Sequence, residues 1–312
     1  MDTTPQTSAF APAGSENTSE RASKDQAWRD LYVSASDGLR LYARDYGPIL
    51  SGTTPVICLP GLSRNSVDFH ALALKLAHHP DHPRRVLALD YRGRGRSQYD
   101  NDWRRYDVRV ETNDVLQMLA AAGIERASFV GTSRGGLIIM GLAAMRPGLI
   151  EKVVLNDIGP VIDPKGLIRI KGYVGRLPVP RDFREAGRIL KQISGTQFPR
   201  LPSEKWEEMA RGTWREEKGR LVLDYDPRLL KTLELLDLEQ PLPALWGLFE
   251  GLKPIPVLAL RGANSDLLGA ETLAAMAEFH PKLKAITVPD EGHAPFLDGA
   301  LAQHIVGFLD LP

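Results

Sequence analysis

One serine lies in a sequence context that suits a nucleophile. The motif GTSRG at 131–135 has the form G-x-S-x-G, follows the apolar run ASFVG and precedes an apolar helical pattern. A strand that turns this sharply into a helix leaves no room for side chains at Gly131 and Gly135, and it exposes the residue between them. The pattern therefore predicts that Ser133 is a strained, exposed nucleophile.

A serine hydroxyl needs a base to remove its proton, and the chain has seven histidines. His293, in DEGHAPF, follows the predicted strand LKAITV at 283–288, so a loop can hold it over the carboxyl edge of a sheet. The other histidines lie in the loop HHPDHP or within helical patterns. We predict that His293 is the general base.

A third residue must accept the second imidazole N–H and favour the imidazolium that forms during reaction. Asp266 follows the predicted strand PVLALRG at 256–262 and gives the chain order serine, acid, histidine. We predict that Asp266 is this acid. Asp157, at the end of KVVLND, is the competitor, and Asp290 and Glu291 lie near His293 in sequence.

Attack on a carbonyl creates an oxyanion that backbone N–H groups must stabilise. The N–H of Arg134 is one candidate, because it lies at the positive end of the helix that follows the serine. The N–H of Leu62 is the second, in the loop PGLS at 60–63, where Gly61 permits a tight turn. The alternative for this loop is a plain connection between a strand and a helix.

The order of elements indicates a sheet flanked by helices. Alternating residues around Asp37-Gly38 predict an antiparallel hairpin at a sheet edge. Predicted buried strands follow at 55–60, 85–90, 127–131 and 152–157, separated by helices at 66–78, 106–121 and 134–145. The alternation stops at Gly159-Pro160 and resumes with a helix at 243–252, a strand at 256–262, and further elements at 270–279, 283–288 and 296–309.

These breaks divide the chain into three parts. Residues 1–26 are rich in Thr, Ser, Pro and Ala and predict a disordered tail. Residues 27–158 and 242–312 form the predicted core domain, and 159–241 form a predicted helical cap. Scattered aromatic residues of the insertion are expected to roof an apolar pocket in part, with packing inside the cap as the alternative: Tyr173, Phe183, Trp206 and Trp214.

The composition argues against several classes of partner. With 39 basic and 39 acidic residues, the chain carries no net charge that would draw it to nucleic acid or an anionic membrane. Cys58, the single cysteine, lies in an apolar run and suits a buried position in a reducing compartment. We expect a cytoplasmic protein that uses a small-molecule substrate and needs neither a cofactor nor a metal; the sequence leaves the oligomeric state open.

Together these residues resemble the α/β-hydrolase family over about Trp28 to Pro312. The segment DYRGRGRS at 90–97 is similar to the D-x-R-G-x-G-x-S turn of its capped esterases, lactonases and carbon–carbon hydrolases. The resemblance implies a mainly parallel eight-stranded sheet with helices on both faces, a helical cap inserted after the sixth strand, and an active site between cap and sheet.

The resemblance specifies the fold more closely than it specifies the reaction, because one fold can host many reactions. Serine at 133 disfavours dehalogenases and epoxide hydrolases, which use an acidic nucleophile, and Thr132 departs from the asparagine usual in carbon–carbon hydrolases. Arg134 either favours a substrate carboxylate or, as we prefer, points away from the pocket and pairs with the cap. We expect a serine esterase that cleaves a carboxylic ester or lactone through an acyl-enzyme. The alternatives are a hydrolase of carbon–carbon bonds in a vinylogous diketone and a non-enzymatic ligand receptor, and the complete triad disfavours the receptor.

Overall fold

The computed structural model describes residues 27–240 and 242–311, so the predicted tail, 1–26, lies outside the described residues. The strands of this part are β1 (Arg29–Ser34), β2 (Arg40–Tyr46), β3 (Val56–Leu59), β4 (Val86–Asp90), β5 (Ala127–Thr132), β6 (Ile150–Asn156), β7 (Trp214–Glu217), β8 (Arg220–Leu223), β9 (Val257–Gly262) and β10 (Leu283–Val288). Eight of them form one sheet in the order β1-β2-β4-β3-β5-β6-β9-β10.

The helices are α1 (His70–Ala77), α2 (Val108–Ala121), α3 (Arg134–Met145), α4 (Pro164–Tyr173), α5 (Phe183–Ser194), α6 (Ser203–Arg211), α7 (Leu230–Glu234), α8 (Trp246–Glu250), α9 (Ala270–Phe279) and α10 (Gly299–Asp310). A short 3₁₀ turn, Ser66–Phe69, precedes α1. The predicted core elements agree with these bounds to within a few residues.

The edge hairpin is antiparallel, as predicted. β1 pairs with β2 from Arg29 opposite Asp45 to Ser34 opposite Arg40. Gly38 has a φ of +81°, and the Asp37 carboxylate accepts the N–H of Leu39 at 3.2 Å, which stabilises the turn. β2 also pairs antiparallel with β4, and the other neighbouring pairs of the sheet are parallel.

The central strands are buried because helices cover both faces of the sheet. In β3 the side chains alternate between two hydrophobic clusters, with Ile57 and Leu59 in one and Val56 and Cys58 in the other. Helices α2, α3, α8 and α9 contribute to the first cluster, and α1 and α10 to the second. The predicted fold class, a mainly parallel eight-stranded α/β sheet with an inserted cap after the sixth strand, is confirmed.

The insertion between β6 and α8 has a small core of its own. Trp206, Trp214 and Phe198 are buried there, together with residues of α5. The sequence predicts helices alone, but β7 and β8 form an antiparallel hairpin within the insertion. Its two-residue turn, Lys218-Gly219, has positive φ at both positions, which is the backbone of a type I′ turn.

No helix within residues 27–240 and 242–311 is long and apolar enough to cross a membrane. The cytoplasmic location stays a prediction from composition.

The close packing of α3 on the sheet generates a test of stability. A Cβ at Gly136 would overlap Ile158 Cγ2, whereas a Cβ at Gly141, in the same helix, would lie 3.6 Å from Thr112 Oγ1 in ordinary contact. Gly136→Ala should therefore lower the free energy of unfolding by about 1–3 kcal/mol. Gly141→Ala should be neutral or raise it by up to about 1 kcal/mol, since alanine suits a helix interior better than glycine.

Urea unfolding of both variants beside the parent chain measures the difference. Equal stability of the Gly136→Ala and Gly141→Ala proteins would contradict the packing described here.

Candidate active site

Ser133 occupies a strained turn between β5 and α3. Its φ of 51° and ψ of −111° lie in a region that residues other than glycine rarely adopt. A Cβ at Gly131 would lie 2.5 Å from Ile139 Cδ1, and a Cβ at Gly135 would overlap the carbonyl oxygen of Leu59. The two glycines are thus required by the close approach of α3 to β5 and β3, which is the reason the sequence motif suggested.

The structure brings His293 to Ser133. His293 Nε2 lies 3.0 Å from Ser133 Oγ, within hydrogen-bond distance. On the opposite side of the ring, Nδ1 lies 2.7 Å from Asp157 Oδ2. Hydroxyl, imidazole and carboxylate therefore form one continuous chain of hydrogen bonds, the arrangement in which imidazole can take a proton from serine.

The carboxylate in this chain belongs to Asp157, so the prediction that places Asp266 against the histidine is wrong. Asp266 forms a bidentate ion pair with Arg169 of α4, at 2.7 and 3.0 Å. Burial alone would raise the pKa of Asp266, but the hydrogen bonds and charge of Arg169 outweigh it and hold that pKa below its usual value. Asp266 thus joins the insertion to the core.

Sheet order explains why Asp157 reaches the histidine. β6 lies between β5, which leads to Ser133, and β9, so a residue directly after β6 is one strand from the nucleophile. Asp157 is fully buried, and its carboxylate accepts the N–H of Gly262 at 2.8 Å and the hydroxyl of Ser265 at 2.5 Å. We expected the acid in the loop after β9, but the last residue of β9 and this loop instead each supply a donor that holds Asp157, the residue directly after β6.

The two acidic residues near His293 in sequence have other partners. Asp290 lies 3.2 Å from Arg200, and Glu291 accepts the backbone N–H of Phe296 at 2.8 Å. Neither carboxylate meets the imidazole, so proximity in sequence does not identify the acid.

The predicted oxyanion donors lie beside the serine. Leu62 lines the same pocket as Ser133, and the Cβ position of Gly61 is 3.9 Å from Ser133 Cβ. Arg134 is the first residue of α3, where backbone N–H groups have no partner within the helix. The role of the Leu62 and Arg134 N–H groups in binding an oxyanion stays a prediction.

The side chain of Arg134 pairs within the protein, as we preferred, but its partners belong to the core domain, so the prediction that it pairs with the cap is wrong. Its Nε donates to Glu111 of α2 at 2.5 Å, and Nη2 donates to the carbonyl of Tyr106 at 2.8 Å. The guanidinium is thus committed to protein partners and is not held ready for a substrate carboxylate.

A pocket of about 190 Å³ opens at the serine between the core and the insertion. Of the four insertion aromatics expected to roof it, Tyr173 lines the pocket, while Trp206 and Trp214 are buried in the core of the insertion and Phe183 packs against it. Packing within the cap, the alternative, describes these three. Met209 of α6 contributes apolar surface that sequence reasoning missed.

Sequence reasoning also missed Gln197, which joins the insertion to the histidine loop. Its side-chain Oε1 accepts the backbone N–H of His293 at 3.1 Å. Its backbone carbonyl accepts a hydrogen bond from Asn264 Nδ2 at 3.0 Å. A Cβ at Gly292 would overlap Cβ of Gln197, so glycine permits the two segments to touch. No motif marks Gln197, because its role depends on how the insertion folds over the loop.

Comparison with known proteins agrees with this fold. The model of the alpha/beta hydrolase family matches residues 56–303, which include the turn at Ser133 and the loop at His293. The chain belongs to the alpha/beta hydrolase family.

Several known proteins are similar to this chain over most of its length. A 3-hydroxybutyrate-oligomer hydrolase of Cupriavidus necator is 36% identical over 255 residues, which cover 78% of this chain and 84% of that protein. A pimeloyl-[acyl-carrier protein] methyl ester esterase of Pectobacterium atrosepticum is 26% identical over 83% of this chain and 95% of that protein. An alpha/beta hydrolase from Novosphingobium aromaticivorans, known from its crystal structure, is 40% identical in sequence. The two structures match with a TM-score of 0.84 over 91% of this chain and 98% of that chain.

The two aspartates differ in what they contact, and substitution separates their roles. Asp157→Asn should lower kcat by on the order of 10⁴, because an amide cannot stabilise the imidazolium and favours the wrong tautomer. Asp266→Asn should lower kcat far less, since it weakens a pair with Arg169 and leaves the hydrogen bonds of the imidazole in place.

Steady-state kinetics on one activated ester, together with melting temperatures, measure both effects. The reverse ranking, with the larger loss in kcat at Asp266, would contradict the assignment of Asp157.

Proposed function

We propose that this alpha/beta hydrolase cleaves carboxylic esters through an acyl-enzyme, with Ser133 as nucleophile, His293 as base and Asp157 as the acid that orients the histidine. The observation that carries the proposal is the chain of hydrogen bonds from Ser133 Oγ through the imidazole to Asp157, at 3.0 and 2.7 Å. The ester-cleaving relatives support it.

The geometry suits a two-step reaction. Ser133 Oγ attacks the ester carbonyl carbon while its proton passes to His293 Nε2, and Asp157 stabilises the resulting imidazolium. The N–H groups of Leu62 and Arg134 stabilise the oxyanion. Collapse expels the alcohol, which takes the proton from His293, and a water molecule activated by the same histidine then releases the acid.

The alternatives use the same residues differently. A carbon–carbon hydrolase would also need a serine and a base, but Thr132 stands where those enzymes usually have asparagine. A ligand receptor would not need the strained turn, which costs folding energy without aiding binding. Both arguments favour an ester or lactone substrate.

A polar group in the pocket bears on the acyl chain. His70 lines the pocket, and its Nδ1 lies 3.1 Å from the hydroxyl of Tyr46. Burial and then the nearby charge of Arg44 lower the pKa of His70, which favours a neutral ring near pH 7. When Tyr46 donates to Nδ1, the ring proton lies on Nε2, and we expect this N–H to donate to a substrate oxygen in the pocket.

We infer from this donor that the acyl chain carries a second oxygen, as in esters between short hydroxyacyl units. The Cupriavidus relative, whose name specifies oligomers of 3-hydroxybutyrate, supports this class of substrate.

Loss of the nucleophile gives the first test. Ser133→Ala should abolish turnover of p-nitrophenyl esters from acetate to octanoate and labelling by a fluorophosphonate, because it removes the attacking oxygen and leaves the fold intact. The parent chain should show both. Labelling of the Ser133→Ala protein at another serine, or turnover equal to that of the parent chain, would contradict the assignment.

The hydroxyacyl substrate gives a second test. A neutral hydrogen bond contributes about 1 kcal/mol, so kcat/KM for p-nitrophenyl 3-hydroxybutyrate should exceed that for the butyrate ester by about fivefold. His70→Phe keeps an aromatic ring but no donor, and it should remove this preference. His78→Phe, at an exposed position, is the matched control and should retain it.

The ratio of the two kcat/KM values is compared among the parent and both variants. A parent ratio near one, or an unchanged ratio in the His70→Phe protein, would contradict the role of His70.

A further inference from the structure

A buried ion cluster lies behind the loop that carries Leu62. Glu111 is fully buried and accepts from two cations, with Arg94 Nη1 at 2.6 Å from Oε1 and Arg134 Nε at 2.5 Å from Oε2. One of these arginines belongs to the turn after β4, and the other directly follows Ser133. The cluster therefore joins two segments beside the serine through one carboxylate.

Arg94 extends the cluster to a third segment. Its Nε donates to the carbonyl oxygen of Leu62 at 2.8 Å. Among the described residues, the other hydrogen bond to the backbone of this loop is a turn bond from the N–H of Arg64 to the carbonyl of Gly61 at 3.2 Å. Because the loop belongs to neither a strand nor a helix, its conformation depends on few such bonds.

The guanidinium of Arg94 is itself held firmly. The side chain is fully buried, Nη1 also donates to the carbonyl of Arg92 at 2.6 Å, and the rings of Tyr91 and Tyr106 lie 5.6 and 5.4 Å away. Because these contacts immobilise the guanidinium, its hydrogen bond can hold the Leu62 carbonyl in one position.

The cluster is expensive to bury. Two guanidinium groups share one carboxylate, so one positive charge is left over, and Arg94 Nη2 is buried with no hydrogen-bond partner among the described residues. Burial and then the charge of Arg134 act against the charged form and lower the pKa of Arg94. Buried ion clusters seldom improve stability over apolar packing. The positions of the groups that this cluster holds therefore account for it better than stability does.

We propose that Arg94 is a positioning residue that pre-orients the Leu62 peptide for the oxyanion. The inference rests on the proposed function, because it needs a reaction that forms an oxyanion at Ser133. By holding the Leu62 carbonyl, Arg94 restricts rotation of this short loop, so that the Leu62 N–H need not reorient when charge develops.

The test separates stabilisation of the transition state from stability of the fold. Arg94→Met removes the donors and the charge. Loss of an oxyanion donor costs about 10²–10³ in kcat, and we expect a loosened one to cost about 10- to 100-fold, with KM nearly unchanged. Affinity for a trifluoromethyl ketone, which forms a tetrahedral oxyanion on the serine, should fall by a similar factor.

Arg92→Met is the matched control. Arg92 lies in the same turn and is equally buried, but its partners are the carboxylates of Asp37, Asp100 and Asp114. Its side chain makes no hydrogen bond to the Leu62 loop among the described contacts, so this variant should lower the melting temperature while its folded molecules keep the kcat and ketone affinity of the parent.

Arg94→Lys keeps the test decisive if Arg94→Met does not fold. A lysine keeps the charge but lacks the planar fork that reaches both Glu111 and Leu62, so ketone affinity should fall at a near-normal melting temperature. Unchanged kcat and ketone affinity in a folded Arg94 variant, or equal losses in the Arg92→Met protein, would overturn the proposal. A parent chain without ester turnover or labelling of Ser133 would instead overturn the proposed function.

Discussion

Helix α3 begins almost in contact with the backbone of β3, and the rest of the site depends on that approach. The carbonyl of Leu59 occupies the space that a side chain at Gly135 would need, and Ser133 is held at a φ of 51° as a result. Such strain persists when surrounding packing overdetermines it. Here the packing is the buried helix on a buried parallel sheet, so the core of the protein holds the half-buried hydroxyl in place at the pocket.

The neighbouring strands divide the remaining work. β5 leads to the nucleophile, and the acid directly follows β6. The end of β9 and the loop after it contribute no acid but two donors that fix the Asp157 carboxylate, the N–H of Gly262 and the hydroxyl of Ser265. Because carboxyl ends of parallel strands meet at one edge, several strand ends are within reach of the same imidazole. The position of the acid is therefore decided by which neighbour is one strand away and by which side chains already have partners.

Much of this arrangement can be read from the sequence. Buried runs, glycines and short turns report local constraints, which is why β3 to β6, the helix after Ser133 and the loop of His293 are predictable. The choice between Asp157 and Asp266 is not local. It depends on an ion pair between Asp266 and Arg169, which are 97 residues apart in the sequence. Gln197 and the Lys218-Gly219 hairpin show the same limit in the insertion, although the alternating residues that flank Lys218-Gly219 are a signal that favours strands.

The contact of Gln197 with the histidine loop has a consequence for exchanging parts between relatives. A chimera that receives its insertion from another family member also receives a new neighbour for Gly292 and a new acceptor for the N–H of His293. The insertion and the loop after β10 therefore depend on each other. A chimera intended to alter specificity needs to take both segments from the same relative.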